Sequence, residues 1–169
     1  MRVFKETQWF NQWWLQCLNI GLLIFLGLCI YNWLIAKVPS VNVLVGNSLE
    51  QALFISTITL SLVYMYILRL NTFIDEIGIH YQFFPFHFSR KTIRWNEIKE
   101  CYVRKYSPLK EYGGWGYRIA MGKNGKAFNV KGNKGIQIAF KNDKRLLLGT
   151  QMEQNAQEVV ERNFKTRNE

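Results

Sequence analysis

Between Glu6 and Lys37 the chain carries no charged side chain, and Leu18 to Ile35 is apolar apart from Asn19, Asn32 and the glycines. A helix rises about 1.5 Å per residue, so roughly 20 residues cross a hydrocarbon core of about 30 Å. The window is long enough. Trp9, Trp13 and Trp14 stand at one end of it and Tyr31 and Trp33 at the other, as expected for amphipathic rings at two headgroup layers. This predicts a membrane-spanning helix over about residues 9–35. A cleavable signal peptide would have a shorter apolar core, and no small-x-small site follows Ile35.

A second span is expected over about residues 49–70, with Gln51 to Leu68 free of charge. Ser48 and Gln51 match a capping box, which marks the helix start. Thr57 and Ser61 share a face, where small hydroxyl residues permit close helix contact or bond a carbonyl of the preceding turn. Arg2 and Lys5 precede the first span and Arg69 closes the second, whereas the connection from residue 36 to 48 has only Lys37. That balance predicts both termini inside, in a multi-pass protein of the cell (cytoplasmic) membrane. The charge-free windows 7–36 and 51–68 of the two spans hold no Asp, Glu, Lys, Arg or His, which disfavours a pump or channel. Residues 1–69 therefore read as a transmembrane helical hairpin and 70–169 as a cytoplasmic domain.

The formal charge of +10 is uneven. Residues 1–68 hold three basic and two acidic side chains, leaving 19 basic and 10 acidic ones beyond them, a net of +9. Such asymmetry suits an anionic lipid surface or nucleic acid, and is also common in cytoplasmic parts of membrane proteins. Cys17, Cys29 and Cys101 have no metal-ligand spacing, and two lie in the apolar run. Neither a disulfide framework nor a metal or cofactor site is expected.

From Asn71 onward the pattern becomes short alternating segments broken by turns. Strands are predicted at Thr72–Asp75, Ile79–Phe84, Thr92–Trp95, Glu100–Tyr106, Gly116–Met121, Ala127–Val130, Gly135–Phe140 and Arg145–Leu148. Glu76-Ile77-Gly78, Asn124-Gly125, Gly132-Asn133 and Asn142-Asp143 punctuate them. Ile136, Ile138 and Phe140 would face the core, with Gln137 and Ala139 pointing elsewhere. Met152, Ala156, Val159, Val160 and Phe164 recur at helical spacing, which predicts one amphipathic helix able to plug the open end of a curled sheet. The fold class is α+β: two N-terminal transmembrane helices, then an antiparallel β-barrel or sandwich capped by a C-terminal helix.

The run Ile74-Asp75-Glu76-Ile77-Gly78-Ile79 followed by Thr92-Ile93-Arg94-Trp95-Asn96-Glu97-Ile98 resembles the opening of bacterial pleckstrin-homology-like (PH-like) domains. There a hairpin precedes a strand and an x-W-x-E-I turn. Two preceding membrane spans are likewise similar to bacterial membrane proteins with such a domain. Glu111 to Arg118, Gly132-Asn133-Lys134-Gly135 and Leu148-Gly149-Thr150-Gln151 resemble one subgroup of them. The resemblance covers about residues 70–164 and implies a seven-stranded PH-like barrel, with one of the eight segments a bulged continuation of its neighbour. It implies no particular activity, because the fold hosts unrelated partners. The hairpin where phosphoinositide-binding PH domains carry cations holds Asp75 and Glu76 here.

Three surfaces are candidates for binding. The loop Glu111, Tyr112, Trp115 and Arg118, with three glycines among these residues, could clasp a peptide or headgroup, or simply pack its rings over the barrel mouth. Lys123, Lys126, Lys131 and Lys134 stand on tight turns whose amides and ammonium groups suit phosphate oxygens, though such hairpin turns are ordinary. Tyr81, Phe83, Phe84, Phe86 and Phe88, followed by Arg90 and Lys91, could insert into a bilayer surface or alternate through a strand edge. Catalysis is not expected. His80 and His87 are separated by an odd offset and Pro85, and no nucleophile or paired-carboxylate motif has a recognisable context. Nucleic acid is disfavoured without an RNP-type or helix-turn-helix sequence.

These features predict a membrane-anchored PH-like binding module contacting a protein partner or anionic lipid headgroups at the cytoplasmic leaflet. The alternatives are an accessory or assembly subunit acting through its transmembrane hairpin and, more weakly, an enzyme on a membrane-bound substrate.

Overall fold

A computed structural model of the chain describes residues 3–33, 48–120 and 124–165. Asn11–Ile67 forms one compact unit, and the segments flanking it, Met1–Phe10 and Leu68–Glu169, together form the other.

The first unit is a helical pair, α1 (Trp13–Tyr31) and α2 (Ser48–Ile67). Both are long and apolar enough to cross a membrane. They run antiparallel: Phe25 meets Phe54 edge-on, Trp33 meets the same ring, and the Tyr66 hydroxyl donates to Gln16 Oε1 at 3.1 Å. Most of their leucines and isoleucines are exposed, Leu18, Ile24, Leu53 and Leu60 among them. The core helix of a water-soluble domain would instead bury an apolar stripe. Thr57 and Ser56 donate to the Leu53 carbonyl and Thr59 to that of Ile55, so these hydroxyls serve their own helix. The helices are shorter than the expected spans because Trp9 and Arg69 belong to strands. The connection Lys37–Asn47 and the Ser48 capping side chain lie outside the described residues.

The second unit opens with a strand that the sequence reading placed in the anchor: β1 (Phe4–Trp9). It pairs antiparallel with β2 (Arg69–Ile74), Trp9 facing Arg69 and Phe4 facing Ile74. β3 (Gly78–Phe84) and β4 (Lys91–Arg94) complete a four-stranded sheet in the order β1-β2-β3-β4. Residues 1–69 are therefore not all anchor, and the β-domain does not begin at residue 70. After a 3₁₀ turn at Trp95–Glu97 come β5 (Ile98–Lys105), α3 (Pro108–Tyr112), β6 (Gly116–Ile119), β7 (Lys126–Asn129), β8 (Lys134–Phe140), β9 (Arg145–Gly149) and α4 (Glu153–Lys165). The second sheet has the order β5-β8-β9-β7-β6, with β7 and β9 parallel. Of the expected barrel or sandwich, no closed barrel forms among the described residues. Among the described residues the strands form two separate sheets, and all eight expected segments are strands in their own right.

Leu70, Ile74, Ile79 and Phe83 of the first sheet and Phe128, Ile136, Ile138 and Leu148 of the second enclose the main core. Ala156, Val159 and Val160 of α4 close it. Here the alternation holds only in part, since Gln137 is buried as well, on the opposite face of β8. There its amide donates to the Leu146 carbonyl and its oxygen accepts from Arg104. Tyr106, Tyr112, Ala127 and Leu147 form a second apolar cluster. The five-stranded sheet is thus covered on both faces, whereas the four-stranded sheet leaves its outer face bare. Gly125, at φ 74°, makes the turn before β7, where a Cβ would run into the Arg145 carbonyl.

Candidate binding surfaces

Most of the glycine- and aromatic-rich loop is tied into the fold. Glu111 pairs with Arg104 at 2.7 Å and accepts the Ser107 amide at 2.7 Å, closing the first turn of α3. The Arg104 guanidinium holds the Glu111 carboxyl below its ordinary range. Tyr112 is 4% exposed and packs edge-on against Tyr106. Gly113, at φ 70°, ends α3 in the left-handed conformation that glycine adopts without strain. Trp115 donates Nε1–H to the Gly132 carbonyl at 2.9 Å, and Arg118 donates to the Trp115 carbonyl at 2.9 Å. Buried Asn129 ties the loop down, accepting the Gly116 amide and donating to the Tyr106 hydroxyl, both at 2.8 Å. The exposed part of the loop reduces to the Arg118 side chain and part of half-buried Trp115.

The lysines do not form one rim. Lys134 forms an ion pair with Glu153 in the first turn of α4. Lys131 is half-buried, and its carbonyl accepts the side-chain Nε2–H of Gln151. Exposed Lys126 faces Leu146 at one end of β9, whereas the Lys134 carbonyl accepts the Thr150 amide beyond the other end. Four residues of strand separate those points, about 13 Å. Lys123 lies outside the described residues.

His80 and His87 occupy unrelated settings. His80 bridges Asp75 Oδ1 at 3.1 Å and Thr92 Oγ1 at 2.8 Å. Asp75 also accepts the Ile77 and Gly78 amides. Burial opposes ionisation of Asp75, and these hydrogen bonds outweigh it, leaving the carboxyl below its ordinary value. His80 thereby straps the β2–β3 turn to β4. His87 sits among Tyr81, Tyr117 and Phe128.

The aromatic run divides in two. Tyr81 and Phe83 stack on Phe128 inside the domain; half-exposed Phe86 stacks on Phe83 and packs against Tyr117, while Phe88 projects outward at 84% exposure. Their loop is held in place: the His87 amide donates to the Phe83 carbonyl at 2.8 Å and Gln82 donates to the Phe88 carbonyl at 2.9 Å. Strand register sets this loop at the end of the sheet where the chain leaves for α1 and returns from α2. Trp9 faces Arg69, Arg69 faces Phe84, and the Arg69 guanidinium lies over the Phe84 ring at 5.2 Å. Phe84 in turn meets Phe88 edge-on at 6.1 Å. The sequence shows the aromatic run; its place beside Trp9 depends on a strand pair that closes across the intervening helices.

Compared with known proteins, the chain matches no family model, no curated protein and no solved structure.

Proposed function

We propose that this chain is a membrane-tethered, PH-like binding module whose β-domain is held at the cytoplasmic leaflet by a transmembrane helical hairpin. The observation that carries the reading is the Trp9–Arg69 pair, which brackets the two apolar helices. Three residues separate Trp9 from α1, and Leu68 alone separates α2 from β2. A hairpin emerging from one strand pair fixes both flanking segments on one side of the bilayer. Lys5 and Arg69 on these strands favour the cytoplasmic side. Two sheets sharing a core with a C-terminal helix support the PH-like comparison, and the covered faces of the second sheet leave binding to the domain's free edges and bare face.

The test is alkaline extraction of membranes from cells making the full chain or a variant with Asn-Gly between Phe10 and Leu68 in place of residues 11–67. A two-residue Asn-Gly turn suits two strands in this register. The full chain should stay with the bilayer, and the variant should be released as a folded β-domain. Release of the full chain, or retention of the variant, would overturn the tether.

The accessory-subunit reading would place the specific contact on the exposed apolar side chains of the hairpin, Leu18, Ile24, Leu53 and Leu60 among them. Exchanging residues 11–67 for an unrelated hairpin anchor separates the readings: a tethered module keeps its function, and an assembly subunit loses it.

A further inference from the structure

The bare outer face of the four-stranded sheet is chemically one-sided. Antiparallel register places Lys5, Phe73, His80 and Thr92 in one row across it and Trp9, Arg69 and Phe84 in another. Arg90 leans over Phe73, 6.0 Å from the ring, and with Lys5 it flanks a shallow groove floored by Asn71 and Phe73. No carboxylate points outward from these four strands: Glu6, the one acid in them, faces inward. The nearest acids on the sheet, Asp75 and Glu76, occupy the turn at its far end.

Along the sheet, character changes in step with the chain's path. At the acidic turn, Asp75 is engaged by His80. At the other end stand Trp9 and Phe88, both at least half exposed, with Arg69 and Arg90 beside them. Large exposed rings backed by cations combine partition into the headgroup layer with attraction to lipid phosphates. Because the chain enters and leaves the apolar helices at Trp9 and Arg69, this is the end that covalent continuity brings to the bilayer.

We infer that this end of the face docks on an anionic phospholipid leaflet, with Trp9 and Phe88 inserted among the headgroups and Arg69 and Arg90 pairing with lipid phosphates. The inference rests on the tether reading above and adds the lipid class and the face that meets it.

The experiment uses the full chain, with its three cysteines replaced, reconstituted in vesicles of phosphatidylcholine alone or mixed with phosphatidylglycerol. A bimane fluorophore is placed on Phe88→Cys or, as the far-end control, on Ile77→Cys, and doxyl-labelled lipid serves as quencher. Quenching at position 88 but not at 77, stronger with phosphatidylglycerol, is the expected result. Arg90→Glu should raise the unquenched population at position 88 roughly fivefold. Hydrogen exchange of the unmodified chain provides a second measurement, with residues 84–91 protected only in the anionic vesicles. If position 88 is as water-exposed as 77 in a protein that resists alkaline extraction, the docking inference fails and the tether stands. Equal quenching in both vesicle types would overturn the anionic-lipid assignment. Protein extracted at alkaline pH would overturn both readings together.

Discussion

Glu6 and Thr150, 144 positions apart in the chain, are joined by a hydrogen bond of 2.7 Å from the threonine hydroxyl to Glu6 Oε2. The other carboxylate oxygen accepts the Gln151 amide at 2.7 Å, and the neighbouring Gln8 donates to the Gly149 carbonyl at 2.7 Å. Through these contacts β1 is fastened to the junction of β9 and α4. A carboxylate only 7% exposed is tolerated there because each oxygen has a donor.

Glu6→Ala should therefore destabilise the β-domain by about 2–4 kcal/mol, since it removes two charge-assisted bonds and leaves a buried hydroxyl and amide to find other acceptors. Glu6→Gln should cost less, because one oxygen can still accept. Denaturant unfolding of the variant lacking residues 11–67 measures both. A change within about 0.5 kcal/mol for Glu6→Ala would show that β1 is not held there.

The sequence reveals most of this domain and conceals β1 for an identifiable reason. Eight strands and α4 are legible because turns punctuate them and apolar residues recur at the right period, as in Ile136 and Ile138. β1 lacks that signal: its inward positions are Phe4, Glu6 and Gln8, two of them polar, and it runs directly toward the apolar helix. Its partner strand lies beyond both helices. The Gln137 position misleads in the same way, since a second apolar cluster covers a face that alternation assigns to solvent. The candidate loop shows aromatic and glycine residues as sequence, but whether Tyr112 packs or projects is decided by Tyr106, Ala127 and Leu147, which are distant along the chain.

Tyr112 and Arg118 should accordingly behave differently when replaced. Tyr112→Ala empties part of a packed cluster and should cost about 3 kcal/mol or more. Arg118→Ala, at an exposed edge position, should change stability by no more than about 0.5 kcal/mol. Unfolding midpoints of the two variants check this, and comparable losses would contradict the division of the loop into packed and free parts.

His87 gives the domain a pH dependence of known sign. Burial, reinforced by Lys91 and Lys126, holds its imidazole below the ordinary value. Its Nδ1 accepts the Phe83 amide at 3.4 Å, a role open only to the neutral ring. Because the unfolded chain takes up the proton more readily, the stabilisation is present above about pH 6.5 and declines as pH falls through that value toward the folded pKa. Thermal midpoints from pH 8 to 5 should fall more steeply for the unmodified chain than for His87→Gln. Parallel curves would remove His87 from the account.

Strand pairing across the hairpin makes the sharpest demand on topology. Single cysteines at Val3→Cys, Ser40→Cys and Met152→Cys, on a cysteine-free background, can be labelled with a membrane-impermeant maleimide in intact and then permeabilised cells. Only Ser40→Cys should label in intact cells, with Val3→Cys and Met152→Cys reacting together after permeabilisation. Labelling of Val3→Cys and Met152→Cys from opposite sides of the membrane would contradict the account, because β1 could not then pair with β2.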